Sequence, residues 1–415
     1  MILYRGVLFC YLKLFDWASC ALDLSFLLLA FRFASEALTR PDFGGCSVTI
    51  PHKEAIGTYL DKLSPSASIL GAVNTVVVEE GEEEEEEEEE DNMRSDSSGA
   101  KQSQRQRQLV GHNTDWLGIF KPMRAALRQS AALHSARLAA AAATKIQSDS
   151  AVDDAPTSSS GEVVRLGIVV GAGGTARAAA YALRSLGLQA IVVNPRTPAN
   201  AQAMAQDLNA KIEAAKATAA AGAGAAGARA ADGGDSKDTE ALASVAWAES
   251  ISEASLTSTV GADVAWEVAA VVSTLPAAAG FELPEWLLPT PAHDSGAAAA
   301  NSDQSEPRCA DQSPPVAVLD VVYKPARTAL VTQCVQHGLP IVPGATMLLE
   351  QGLEQLELWT RRTAPRPEVR AALLANVLAS DTVVKEGSSM SETEALFRDL
   401  PGWKDAFPSP KLASN

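Results

Sequence analysis

The sequence is poor in the residues that staple or anchor chains. Only five cysteines occur among 415 residues, at 10, 20, 46, 309 and 334, and no two are spaced as a CxxC pair. An odd, scattered set offers neither a disulfide framework nor a zinc site and suits a reducing compartment, so no metal is expected. Aromatic residues make up 5% of the chain and histidines number five. Basic residues are outnumbered, 34 against 51 acidic ones, for a formal net charge of −17. That balance excludes the basic footprint of a general nucleic-acid binder. Long hydrophobic runs are missing too: residues 21–30 are the best candidate, only ten residues with Asp23 inside, too short to span a bilayer. Asp16 and Asp23 suit neither a signal peptide nor an acid-poor transit peptide. Cytoplasm and plastid stroma both fit this composition.

The acidity is concentrated. Residues 82–91 are nine Glu and one Asp, and without them the net charge is −7, an ordinary value. The tract reads as a solvated insertion. Residues 79–108, 131–161, 210–262 and 277–315 are rich in Ala, Gly, Ser, Pro and acidic residues. They bury too little apolar surface to offset ordering entropy and are expected as loops or disorder, apart from Ala runs such as 139–143 that can be helical. Well-patterned blocks lie between them, at 34–78, 109–130, 162–209, 263–276 and 316–376.

One block carries a nucleotide pattern. Residues 163–170 (VVRLGIVV) read as a buried strand, followed by Gly171-Ala172-Gly173-Gly174-Thr175-Ala176, a helix over 176–186 ended by Gly187, and a second strand over 189–193. Strand, glycine turn, helix and strand form the opening unit of a Rossmann fold. Gly171 permits the tight turn, Gly173 lets backbone approach a pyrophosphate, and Ala176 replaces the third glycine. The helix start then offers free N–H groups and a positive dipole end to phosphate. After the second strand the chain reads Asn194-Pro195-Arg196-Thr197. NAD binders place an acid there for the ribose 2′-hydroxyl; here Arg196 can meet a 2′-phosphate and Thr197 can donate to it, so NADP is the expected cofactor.

Three further segments end in polar groups. Residues 45–53 (GCSVTIPHK) read as a short strand and turn that project Lys53 at a helix start. Residues 71–78 (GAVNTVVV) place Asn74 in a turn before a strand, and residues 109–118 place Asp115 at a strand-to-helix junction. An amine, an amide and a carboxylate on strand ends suit a polyol or keto-acid pocket, although an isolated Asn-Thr-Asp is usually a helix cap. Late in the chain, 316–322 reads as a strand containing Asp320, and 347–359 as a helix carrying Gln351. On it Leu348, Gly352, Gln355 and Trp359 fall near one face.

Taken together, these blocks resemble the shikimate dehydrogenase family, most closely the dehydrogenase region of the pentafunctional shikimate-pathway (AROM) enzymes. The matching segments are residues 47–53, 71–75, 113–115, the turn 171–174, Arg196-Thr197, residues 320–325, and Gly344…Met347…Gln351…Trp359-Thr360. The resemblance implies reversible, NADP-dependent reduction of 3-dehydroshikimate to shikimate in aromatic amino acid biosynthesis. It implies Lys53 and Asp115 as the catalytic pair and Thr49, Asn74 and Gln351 as substrate ligands. Gly171, Ala172, Gly173, Gly174, Thr175, Arg196 and Thr197 would hold the cofactor, with Tyr323, Gly344 and Met347 bordering its nicotinamide. The partner is a small molecule, with no nucleic acid and no membrane.

The expected architecture is α/β with two lobes. A substrate-binding lobe covers 34–118 and is completed by a helix near 346–376; a Rossmann-like NADP-binding lobe covers 119–345; residues 1–33 are an atypical N-terminus and 377–415 a tail. The family opens with a strand and a Ser-x-Ser segment for the substrate carboxylate, and residues 1–33 hold no such segment. Pro195 replaces the family's usual Asn. Two alternatives stand beside this reading: quinate dehydrogenase, which uses the same scaffold, and a catalytically impaired NADP-binding remnant lacking the N-terminal substrate segment.

Overall fold

A computed structural model describes Leu38 and residues 43–49, 52–80, 107–148, 163–222, 244–289 and 315–379. The N-terminal 33 residues, the acidic tract, Pro51 and the tail from 380 lie outside the described residues. The chain divides into two compact units, Met1–Thr114 with Gln355–Thr363, and Asp115–Glu354 with Ala364–Asn415.

The first unit is built on strands β1 (Gly45–Ser47), β2 (Lys62–Leu63), β3 (Thr75–Glu80) and β4 (Arg107–His112), in the order β1-β3-β4-β2. β3 is antiparallel to both β1 and β4, whereas β2 runs parallel to β4. Helix α1 (Pro65–Leu70) starts where the Ser64 hydroxyl accepts from Ala67 N–H, with Pro65 in the first turn, and stops at left-handed Gly71, φ 63°. Both signals are local, a side-chain cap before and a glycine after. Its core joins Leu38, Ile56, Ala67, Val73 and Val76, with Phe43, Cys46, Val48, Leu60 and Leu109 packed against them. Gly111 in β4 has no room for a side chain, because a Cβ there would sit 2.6 Å from Leu60 and 2.8 Å from Val73.

The second unit begins with helix α2 (Asp115–Ser148) and continues β5 (Val164–Val170), α3 (Gly174–Ser185), β6 (Gln189–Val193), α4 (Pro198–Gly222), β7 (Ala246–Ala248), α5 (Glu253–Val260), β8 (Trp266–Ser273), β9 (Ala317–Asp320), α6 (Ala329–Gln336) and β10 (Ile341–Val342). Helices α7 (Gly344–Thr360) and α8 (Arg366–Ala379) follow. The six strands are all parallel, in the order β10-β9-β8-β5-β6-β7. Strand order reverses beside β5, the arrangement of a doubly wound nucleotide fold. The central strands are apolar runs because both sheet faces are covered: Leu166, Ile168, Val169 and Val170 of β5 and Ala190, Ile191, Val192 and Val193 of β6 are all inaccessible to solvent.

Three stretches expected as loops contain regular structure. α2 continues through the Ala-rich residues after 131, and α4 extends to Gly222. β7 and α5 occupy 246–260, and short 3₁₀ turns fall at Ala277–Ala279 and Glu285–Leu287, burying Leu283 and Leu287. Low side-chain bulk misled the reading: alanine has the highest helix propensity and carries a helix without a large apolar face. The unit boundary also differs from the expected one. It falls at Thr114/Asp115 instead of after 118, and the returning segment is Gln355–Thr363 instead of 346–376. The reason lies on α7. Glu350 and Glu354 pair with Arg366 and Lys121 of the second unit. Gln355 and Trp359, one turn on, bond to β1 and β3 of the first.

Cys334 of α6 is fully buried, and that burial, with the nearby Asp320 charge adding to it, pushes its thiol up to about 12. Iodoacetamide at pH 8 is therefore expected to leave Cys334 unlabelled in the native protein and to label it on unfolding, read by peptide mass spectrometry. The folded-state pKa lies above the unfolded one. The stability contributed by the neutral thiol is thus complete below about pH 9 and is lost as pH rises towards 12. The stability difference between wild type and Cys334→Ala should shrink over that window.

Candidate active site

In an open parallel sheet, ligands bind outside the carboxyl ends of the strands, where strand order reverses. In the second unit that position falls between β6 and β8. β5 runs into Gly171, whose N–H donates to Val193 O (2.9 Å) at the end of β6. Gly171 has φ +121°, and a Cβ there would overlap the Thr274 hydroxyl after β8. Thr274 donates to Val170 O from both its N–H and its hydroxyl, each at 2.9 Å. Three strand ends are thus tied together around one glycine. Gly173 caps α3 with φ −96° and ψ −173°, is exposed, and has nothing within 4 Å of a Cβ position. No side chain caps the helix. Ala172, Gly174 and Thr175 are half-buried around it, and Ala176 is fully buried. The start of α3 therefore faces open space with its first N–H groups unclaimed by a capping side chain, a cradle that fits a pyrophosphate.

At the end of β6, Asn194 donates from Nδ2 to Thr197 Oγ1 (3.0 Å), and Thr197 N–H returns to Asn194 O (3.2 Å). This turn presents Arg196 to solvent, and Arg196 forms no ion pair with another described residue. Thr197 Oγ1 accepts from Asn194, so its own hydrogen stays available to an acceptor. The pair fits the anionic, acceptor-rich group expected of a 2′-phosphate.

β9 ends on Asp320, a buried carboxylate that accepts from Val322 N–H (3.1 Å) and from the Thr328 hydroxyl (2.6 Å). Burial pushes its carboxyl above the ordinary range, while the Thr328 and Val322 hydrogen bonds pull it down. Tyr323 stands half-buried on the following loop. Beyond β10, Gly344 starts α7; a Cβ there would lie 2.5 Å from Val322 O and also strike Val321 O, so only glycine lets this turn approach the loop. Met347 is buried and Gln351 half-buried on α7. α2 lies against them, since a Cβ on Gly118 would meet Met347 O at 2.8 Å and Gln351 Cβ at 2.9 Å. Asp115, one turn before Gly118 and buried, opens α2. The second unit thus carries the glycine turn and Arg196 after β5 and β6, and separately Tyr323, Gly344, Met347 and Gln351 around the corner from β9 to α7, with Asp115 opening α2.

The first unit gathers Thr49, Lys53 and Asn74. Val48 N–H donates to Asn74 O (2.7 Å) and Val73 N–H to Lys53 O (2.7 Å), which joins the turn after β1 to the turn before β3. Thr49 is exposed and its carbonyl accepts from His52 N–H (2.9 Å); Lys53 is half-buried in a turn, just ahead of the 3₁₀ turn at Ile56–Tyr59. The helix start expected there is this 3₁₀ turn, three residues beyond Lys53. Asn74 is buried and holds the end of β4: its Oδ1 accepts from Thr114 N–H (2.8 Å) and the Thr75 hydroxyl (2.7 Å), and its Nδ2 donates to Thr114 Oγ1 (3.0 Å). Thr114 is the residue at which the first unit ends before α2.

Sequence reasoning put Gln355 on the Trp359 face of its helix without giving it a role; its Nε2 reaches Ser47 Oγ (3.2 Å), Asn74 O (3.2 Å) and Thr75 Oγ1 (3.0 Å). Sequence reasoning missed Gly118 and the clamp from Asp320 to Thr328. A sequence signal existed for Gln355: it sits one turn before Trp359, whose indole donates to Val76 O (2.9 Å).

Fold and site together define a two-unit α/β protein whose second unit is Rossmann-like. Two family models match: "Shikimate dehydrogenase substrate binding domain" over residues 24–76 and "Shikimate 5'-dehydrogenase C-terminal domain" over residues 344–374. Both matches are to domain models of the shikimate dehydrogenase family and together take in a minor part of the chain. It is 30% identical over 353 residues to the pentafunctional AROM polypeptide of Mycosarcoma maydis, covering 80% of this chain and 15% of that one. Against the pentafunctional AROM polypeptide of Schizosaccharomyces japonicus it is 29% identical over 338 residues, covering 80% and 14%. The chain thus spans only a small fraction of these relatives. Among solved structures it is similar to the dehydroquinate dehydratase and shikimate dehydrogenase from S. pombe AroM, with 24% identity, TM-score 0.46, and coverage of 83% of this chain and 45% of that one. It is also similar to the quinate dehydrogenase from Corynebacterium glutamicum in complex with NAD, with 22% identity, TM-score 0.44, and coverage of 85% and 83%.

Proposed function

We propose that this chain is an NADP-dependent shikimate dehydrogenase, interconverting 3-dehydroshikimate and shikimate. The observation that carries the reading is the open Gly173 cradle with exposed Arg196 and no acid at the end of β6. The substrate half is supported by the family matches, which contain Thr49, Lys53 and Asn74 in one segment and Gly344, Met347 and Gln351 in the other.

The backbone N–H groups at Gly173 and Gly174 would hold the pyrophosphate, and Arg196 with Thr197 the 2′-phosphate. Tyr323, Gly344 and Met347 would border the nicotinamide. When bound, the cofactor supplies the hydride for reduction and accepts it in oxidation. Reduction adds that hydride to the C3 carbonyl carbon and leaves an alkoxide that must gain one proton; the Lys53 ammonium donates it, and in oxidation the Lys53 amine takes it back. Asp115 binds a substrate hydroxyl and orients the reacting edge. Thr49, Asn74 and Gln351 hold further hydroxyls.

The test is NADP reduction by the purified chain with shikimate, with quinate and NAD as parallel controls. Turnover that is fastest with shikimate and NADP is expected; NADPH binding without turnover on shikimate would overturn the reading. Arg196→Leu should weaken NADP roughly ten- to a hundredfold, the loss of one hydrogen bond to a charged group, and leave NAD unchanged. Steady-state KM for each cofactor reads this out. Equal loss for both cofactors would remove Arg196 from 2′-phosphate recognition.

A further inference from the structure

Asp320 is the only described carboxylate that ends a strand of the six-stranded sheet at its carboxyl edge. None of the roles above uses it, and its burial has to be explained. Its two oxygens have separate tasks. One accepts from Val322 N–H, two residues on, and turns the chain away from β9. The other accepts from the Thr328 hydroxyl, which in turn accepts Val331 N–H (3.1 Å) and so caps α6. One carboxylate thereby closes both ends of the loop 321–328. Val321 N–H, donating to Ser273 O (3.0 Å), anchors the same corner to β8. The far side of the corner meets Gly344, where no side chain fits against Val321 O and Val322 O. Between these fixed points stands Tyr323. A depression at this corner has Ser273, Leu275, Asp320, Val322 and Thr328 among its lining residues.

We infer that Asp320 is a positioning residue, holding the 321–328 loop and its Tyr323 against the first turn of α7 so that the nicotinamide-bordering face is formed before the cofactor arrives. The inference rests on the functional reading above. A carboxylate suits this task because it accepts at both oxygens, whereas any apolar residue would leave Val322 N–H and the Thr328 hydroxyl without their partner. A preformed face lowers the ordering cost of binding, so its loss should appear in cofactor binding more than in substrate binding.

The experiment compares Asp320→Ala, Thr328→Val and Thr328→Ser in the full chain, measuring KM for NADP and for shikimate separately, kcat, and thermal unfolding. Asp320→Ala and Thr328→Val are expected to raise KM for NADP about tenfold and to lower kcat, with KM for shikimate unmoved. Thr328→Ser, which keeps the hydroxyl, should restore wild-type values. A merely structural role would lower kcat through the folded fraction and leave both KM values alone; that pattern overturns the inference. So does a folded Asp320→Ala with wild-type KM for NADP. If Asp320→Ala does not fold, the Thr328 pair decides on the same criterion. Failure of the functional reading looks different, because the wild type itself would then not turn over shikimate with NADP.

Discussion

Lys53→Ala is expected to reduce shikimate turnover roughly a hundred- to ten-thousandfold, the range over which a positioned acid or base contributes. NADPH affinity should stay at the wild-type level. The fold should survive, because the link from this turn to its neighbour runs through the Lys53 carbonyl, which accepts Val73 N–H (2.7 Å) whatever the side chain. The core beneath is supplied by Ile56, Ala67, Val73 and Val76, which the substitution leaves in place. Single-turnover hydride transfer with saturating substrates isolates the chemical step from binding. A wild-type rate in that measurement would remove Lys53 from the proton path. A loss confined to KM for shikimate would make it a substrate ligand only.

Gly173→Val should separate cofactor binding from stability. Its backbone, φ −96° and ψ −173°, is extended and open to any residue, and no atom lies within 4 Å of the new Cβ. Replacing a glycine N-cap loses a few tenths to about 1 kcal/mol of helix stability. Restricting the unfolded chain returns a similar amount, so the melting temperature should barely move. A dinucleotide meets the same position differently. Its pyrophosphate must come within hydrogen-bond distance of the backbone there, and a branched side chain holds it off. Losing one bond to a charged phosphate, about 1.5–3 kcal/mol, weakens NADPH roughly ten- to a hundredfold. Fluorescence titration with NADPH and a parallel thermal melt check both halves. Wild-type affinity in a folded Gly173→Val protein would move the pyrophosphate away from α3.

The same glycine shows why this half of the site could be read in advance. A tight turn, a close backbone approach and an uncapped helix start are demands on neighbouring residues, and Gly171, Gly173 and Ala176 are spaced for them within one turn of chain. Apolar runs at 164–170 and 189–193 likewise announce strands covered on both faces. That Arg196 stands exposed was legible because it falls in the polar turn just past the second strand. Apart from Ala runs such as 139–143, the Ala-rich stretches misled for the converse reason: their helices need no apolar face to form, so composition alone pointed to loops.

Residue types and spacings were therefore enough for the Rossmann-like strand, turn, helix and strand, the glycine turn and the resemblance through which Lys53, Asn74, Asp115 and Gln351 are read as site residues. They did not reveal which groups hold which. Asn74 was read as a ligand, yet its buried amide also carries the bonds to Thr114, 40 residues away. Gln355 reaches Ser47 across 308 residues, and Gly118 matters only because α7 passes beside it. Asp320 looked like one polar residue inside a strand until Thr328 closed on it. Such pairings depend on which strand ends and helix faces meet after folding, and periodicity along the chain records each face but not its partner.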